Sequence, residues 1–216
     1  MKTQDEKKKQ SNSGSAKKEL LIAEAEKIFA EKGFHETSIR DIAKATGSNV
    51  ALIYYYFKDK EDLYLHILDE TFRQMTEHIQ KSLKDGADDE ERLRLVIKAY
   101  ISFMGTRTHI PRIMAREMAE GGQYVAIIME RYVFRNFSMM QGILNEGAEK
   151  GVFNKVDLEL TPLCMMGMMG FFFFASPMIK RILKRSDYDS EFLERLSSTV
   201  TDVFFNGVKK RETGEE

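Results

Sequence analysis

Between residues 46 and 63 the chain reads TGSNVALIYYYFKDKEDL. Three consecutive tyrosines, Tyr54, Tyr55 and Tyr56, lead into Phe57 and then into Lys58 and Lys60. A tyrosine is a stiff spacer ending in a hydroxyl, well shaped to donate to a phosphate oxygen some distance from a helix axis. Lys60 stands where a new helix opens, and the free N–H groups of a helix start favour anions. Upstream, the Asn49 amide can pair with an adenine edge, while Val50 and Ala51 can touch a thymine methyl. That chemistry is a clamp on a sugar–phosphate backbone with a base-reading end. The alternative is that the tyrosines pack with wet tips and the lysines are ordinary surface.

The flanking pattern supplies the elements that would hold such a clamp. Residues 1–15 lack apolar periodicity and are expected to form a free tail. From Ala16, Leu21, Ala25, Ile28 and Phe29 fall on one helical face, and Gly33 stops the helix. Thr37 or Ser38 can cap a second helix faced by Ile39, Ile42 and Ala43, ended by Gly47. Ser48 or Asn49 can cap a third running to Phe57 or Lys58, held down by Ile53 and Phe57. A fourth, long helix starts near Lys60. Two short helices joined by a glycine-containing turn spell a helix-turn-helix, in which the second short helix enters the major groove with its N-terminal residues at the base edges.

The run TSIRDIAKATGSNVALIYYYFKDKEDLYLHIL resembles the DNA-binding region of TetR-family (tetracycline-repressor-like) transcriptional regulators over about residues 18–68. The markers are EKGF at the end of the first helix, the Tyr54/Phe57 pair, and K-x-K-E-x-L at 58–63. The resemblance implies an all-α homodimer with an N-terminal three-helix domain on a palindromic operator and a C-terminal domain that binds a small effector and dimerises. It implies base-edge contacts from Asn49, Val50 and Ala51, and phosphate contacts from Thr37, Ser38, Ser48, Tyr54, Tyr55, Tyr56 and Lys60. Arg40 fits a phosphate contact or a surface charge. Val50, Ala51 and Tyr56 replace the lysine, glycine and histidine often found in the family. About nine helices are expected, with a DNA-binding domain at 16–60, an effector and dimerisation domain at 61–211, and a short tail at 212–216.

The second half is rich in methionine and phenylalanine, which suits an adaptable apolar pocket. Candidate lining residues are Phe103, Met104, Met114, Met118, Tyr132, Met139, Met165, Met169 and Phe172. Arg112, Arg116 and Glu117 can anchor a polar group or serve a solvated face. Residues 160–179 carry no charge. A run of ~20 apolar residues can span a bilayer, so a membrane-anchored protein is the rival reading. Pro162 and Pro177 within it favour a buried helix. With a last helix at 188–210, that helix would form a four-helix dimer interface through Gly167, Gly170, Phe192, Leu196, Val200, Val203 and Phe204.

Composition bounds the rest. The net charge of −1 divides into 12 Lys/Arg against 9 Asp/Glu in residues 1–60 and 21 against 25 thereafter, a basic front on an acidic body. The basic front is where an anionic partner would sit. Four histidines without metal-ligand spacing, a single cysteine inside an apolar run and no phosphate-binding glycine loop leave no enzyme, metal or cofactor reading. Without an apolar signal core near the start, a cytoplasmic protein is expected. Its function is expected to be repression: a duplex DNA operator is held by the homodimer and released when a largely apolar effector shifts the fourth helix.

Overall fold

A computed structural model describes residues 4–208, with side chains described from Gly14 onward. Among the described residues there are eleven α-helices, one π-helical turn and no strand ladder. They run α1 Gln4–Lys32, α2 Ile39–Ala45, α3 Val50–Tyr56, α4 Lys60–Ser82, α5 Asp89–Gly105 and α6 Ile110–Ala119. Then follow α7 Gln123–Ile128, the π turn Met129–Val133, α8 Phe134–Glu149, α9 Leu160–Phe174, α10 Ser176–Ile182 and α11 Ser190–Val208.

Three expectations change. The first helix begins at Gln4, so most of the expected tail is helical. Its opening residues are mostly Gln, Glu and Lys, which favour helix without an apolar face to show it. The expected tail at 212–216 lies outside the described residues. The stretch expected as one helix over 123–150 is interrupted by the π turn, and the one over 158–184 breaks at Ala175. Pro177 lacks the N–H that a continuous helix needs, and α10 starts afresh with it in its first turn. α9 and α10 meet at 77°; together they have the length and composition of a span, but among the described residues no single helix is long and apolar enough to cross a membrane. α9 instead buries Met165, Met169 and Phe173 in the core.

Two cores organise the chain. One joins Leu21, Phe29, Ile42, Ile53, Phe57 and Leu63 and continues into Ile110, Ile113, Tyr124 and Ile128. The other lies among α5, α8, α9 and α11, around Leu93, Ile97, Ile143, Leu144, Met165 and Val200. The helix-turn-helix therefore shares its core with α6 and α7, elements of the second half of the chain.

Candidate nucleic-acid interface and effector cavity

The turn between α2 and α3 is fixed by local chemistry. Ser38 opens α2 with a capping box: its Oγ accepts the Asp41 N–H at 3.2 Å and its own N–H donates to Asp41 Oδ2 at 3.0 Å, while its hydroxyl also donates to Oδ2 at 2.7 Å. The hydrogen bonds that Ser38 donates hold the Asp41 carboxyl below its ordinary range. Gly47 sits at φ +62°, the left-handed region that turns the chain at little cost. Asn49 caps α3 by accepting the Leu52 N–H on Oδ1 at 2.8 Å. Ile53 and Phe57 are buried, as their spacing requires, and pin α3 to the core.

This arrangement leaves Ala51, Tyr54 and Tyr55 on the open side of α3, the last two 54% and 78% exposed. On α2, Arg40 and Lys44 are also exposed, one turn apart. Lys44 is not among the sequence candidates, although its i, i+4 relation to Arg40 is visible there. Together these groups can donate hydroxyls and positive charge to phosphates on either side of a groove.

Several of the residues expected to contact DNA are engaged within the chain itself. The Thr37 side chain is 2% exposed and its hydroxyl donates to Gly33 O at 2.6 Å, so it closes the turn after α1. Ser38 remains exposed with its hydroxyl engaged by the cap. Asn49 cannot present a free amide pair, because Oδ1 serves the helix; its Nδ2 remains to donate. Val50 and Ser48 are half-buried, with Val50 packed on the core beneath. Tyr56 turns back to α1 and donates to Gly14 O at 3.0 Å.

Lys60 is the most extensively engaged of them. Its Nζ donates to Phe34 O at 2.7 Å and Thr37 O at 2.9 Å and lies 4.2 Å from the Phe34 ring centroid. Burial lowers its pKa. The ammonium fastens the start of α4 to the α1–α2 turn.

A cavity of about 240 Å³ is walled by residues of α4 to α9. Of the expected lining, Met104, Met114, Met118 and Met169 are present. Met165 packs into the core, Met139 supports the core from its edge, and Phe103 lies under the Arg107 guanidinium. Tyr132 packs against the other core, and Phe172 lines a separate outer groove. The sequence reading misses Phe72, Met75 and Ile79 from α4, Val96 and Tyr100 from α5, and Asn136 and Met140 from α8. It also misses Val125, Met129 and Val133 around the π turn, and Met166, Gly167 and Phe174 on α9. Helical periodicity marks these residues as inward-facing and cannot separate a cavity wall from solid core.

α6 connects the two regions. Met114 and Met118 face the cavity, while Arg116 donates to Glu31 O at 2.8 Å and Glu117 accepts from the Tyr64 hydroxyl at 2.8 Å. Burial and that bond to Glu117 raise the Tyr64 pKa. The Arg116 and Glu117 side chains thus serve the junction with the DNA-binding unit.

The outer face of α9 carries Leu160, Leu163, Gly167 and Phe171 at helical spacing, beside Thr199 and Val203 of α11. Of the seven residues expected at a dimer interface, Gly167 and Val203 face outward. Leu196 and Val200 form the floor of that groove while packing inward, and Phe192 and Phe204 are core residues. Gly170 is buried against Phe174. The apolar stripe of α11 is taken up by its own chain, and a neighbouring register faces outward.

Residues 21–77 match the family of bacterial regulatory proteins, tetR family, and residues 89–208 match the C-terminal domain of the HTH-type transcriptional dual regulator CecR. The chain belongs to the TetR family. The fatty acid metabolism regulator protein of Bacillus subtilis (strain 168) is 25% identical over 196 residues, covering 88% of this chain and 95% of that protein. CecR of Shigella flexneri is 36% identical over 94 residues, 40% of this chain and 42% of its own. The fold is shared with FadR from Bacillus subtilis in complex with stearoyl-CoA, with TM-score 0.71 and 24% identity, covering 87% of this chain and 97% of that one. These relatives are transcriptional regulators, and this TetR-family chain is one.

Proposed function

We propose that this regulator represses transcription as a homodimer that holds a palindromic operator with α3 and releases it when a long apolar effector fills the cavity. The observation that carries this reading is that α4 and α6 each contribute both to the cavity wall and to the core under the helix-turn-helix. The cavity is smaller than the ~300–1,000 Å³ of usual ligand sites, and eight of its seventeen lining residues are methionines. A ligand must therefore part flexible side chains, several of them on α4 and α6. It shifts the two DNA-binding units only by binding one spacing better than the other.

A long acyl compound is the proposed effector. Support comes from the apolar lining, from the fatty acid metabolism regulator among the relatives, and from the neighbour whose structure holds stearoyl-CoA. The proposed partner on the α9–α11 groove is a second copy, and the operator places the regulator's work in the cytoplasm. Base contact is assigned to Asn49 and Ala51, phosphate contact to Tyr54, Tyr55, Arg40 and Lys44. The test is a titration of the preformed protein–operator complex with stearoyl-CoA, followed by fluorescence anisotropy. Release at stoichiometric ligand supports the reading, and an unchanged complex at saturating ligand contradicts it.

A further inference from the structure

The cavity wall is apolar apart from two neutral polar side chains, Tyr100 of α5 and Asn136 of α8, and none of its lining residues is charged. Asn136 is 9% exposed and its Nδ2 donates to Thr76 Oγ1 at 3.1 Å, which leaves its carbonyl oxygen as an acceptor. The Tyr100 hydroxyl has no hydrogen-bond partner among the described residues. Burial pushes its pKa up, so it stays protonated and able to donate. A hydroxyl on an apolar cavity wall with no protein partner gains a hydrogen bond from any ligand that offers an acceptor there.

Resting on the effector reading above, we infer that Tyr100 and Asn136 select an effector that carries one uncharged oxygen function, an ester, thioester or alcohol, on a long hydrocarbon chain, and reject a free carboxylate. Tyr100 donates to the ligand oxygen, and Asn136 accepts when that oxygen is a hydroxyl. A plain hydrocarbon would leave the Tyr100 hydroxyl unpaired. An ionised carboxylate would enter a low-dielectric space with no cation to balance it, a cost far above that of a missing hydrogen bond. The acyl chain thus enters when its carboxyl is masked, so the site distinguishes an activated or esterified acyl group from the free acid.

The test compares octadecane, stearyl alcohol, methyl stearate and sodium stearate, each delivered from cyclodextrin at mildly alkaline pH. Each is read by displacement of a fluorescent apolar probe from the full-length protein. The alcohol and the ester should bind about tenfold more tightly than octadecane, and stearate more weakly than either. Tyr100→Phe removes only an unpartnered hydroxyl and should keep the fold, which thermal unfolding checks; it should erase the advantage of alcohol over hydrocarbon. If octadecane and the alcohol bind alike and Tyr100→Phe changes nothing, the selection is overturned while the effector cavity stands. Stearate binding as tightly as its methyl ester would overturn it as well. If none of the four displaces the probe, the effector reading itself falls, and the selection with it.

Discussion

Replacing Lys60 with methionine separates two roles that sequence cannot tell apart. In the structure its ammonium bonds Phe34 O at 2.7 Å and Thr37 O at 2.9 Å, across the turn that sets α2 relative to α1. Methionine keeps much of the stem but strands both carbonyls. An unsatisfied buried polar group costs ~1–3 kcal/mol. Here water can reach part of the site, and relief of the burial that lowers the lysine pKa offsets some of the loss. A net destabilisation of about 2 kcal/mol is expected, which for a chain of this size lowers Tm by roughly 4–8 °C. The assay pairs thermal unfolding by circular dichroism with the salt dependence of DNA affinity. A phosphate-binding lysine would leave Tm alone and reduce the slope of log K against log salt by about one. The staple predicts the reverse: lower Tm and, on the protein that remains folded, an unchanged slope. Unchanged Tm with a reduced slope would refute the assignment.

Three further outcomes follow from the same geometry. Asn49→Ala should cost about 1 kcal/mol in denaturant unfolding through loss of the cap on Leu52 N–H, whereas Asn49→Ser should retain most of that stability yet alter base preference in a competition assay. The raised Tyr64 pKa means the folded state keeps that proton where the unfolded chain, near 10.0, loses it. Stability from this group is therefore present below pH 10 and lost as pH rises above it, and Tyr64→Phe should shrink the alkaline fall in Tm. Phe171→Glu places a charge on the exposed α9 face and should give a folded monomer in sedimentation, with operator affinity reduced at least about tenfold; a persistent dimer would move the interface elsewhere.

The helix-turn-helix is legible because its signals are local. Ser38 with Asp41, Gly47, and Asn49 three residues before Leu52 each fix a cap or turn within a few residues. Lys60 escapes a sequence reading because the carbonyls it holds lie 26 and 23 residues upstream, joined to it only by the packing of α1 on α4. Tyr56 escapes it for the same reason, its acceptor being 42 residues away on α1. In the second half, composition announces an apolar interior but not its shape. Met165 and Met169 are one turn apart, yet only Met169 borders the cavity. The stripe Phe192, Leu196, Val200 and Phe204 is as apolar as an interface should be, and only the tertiary fold shows that α11 presses it inward.

In the proposed function, paired α3 helices read a two-fold operator. Its most direct test is selection of bound sequences from random duplex DNA by the wild-type protein at moderate salt. A palindrome with half-sites about one helical turn apart should be enriched, and the enrichment should be lost when Tyr54 and Tyr55 are both replaced by alanine in the folded protein. Enrichment of no sequence at moderate or low salt, with a correctly folded dimer in hand, would contradict it.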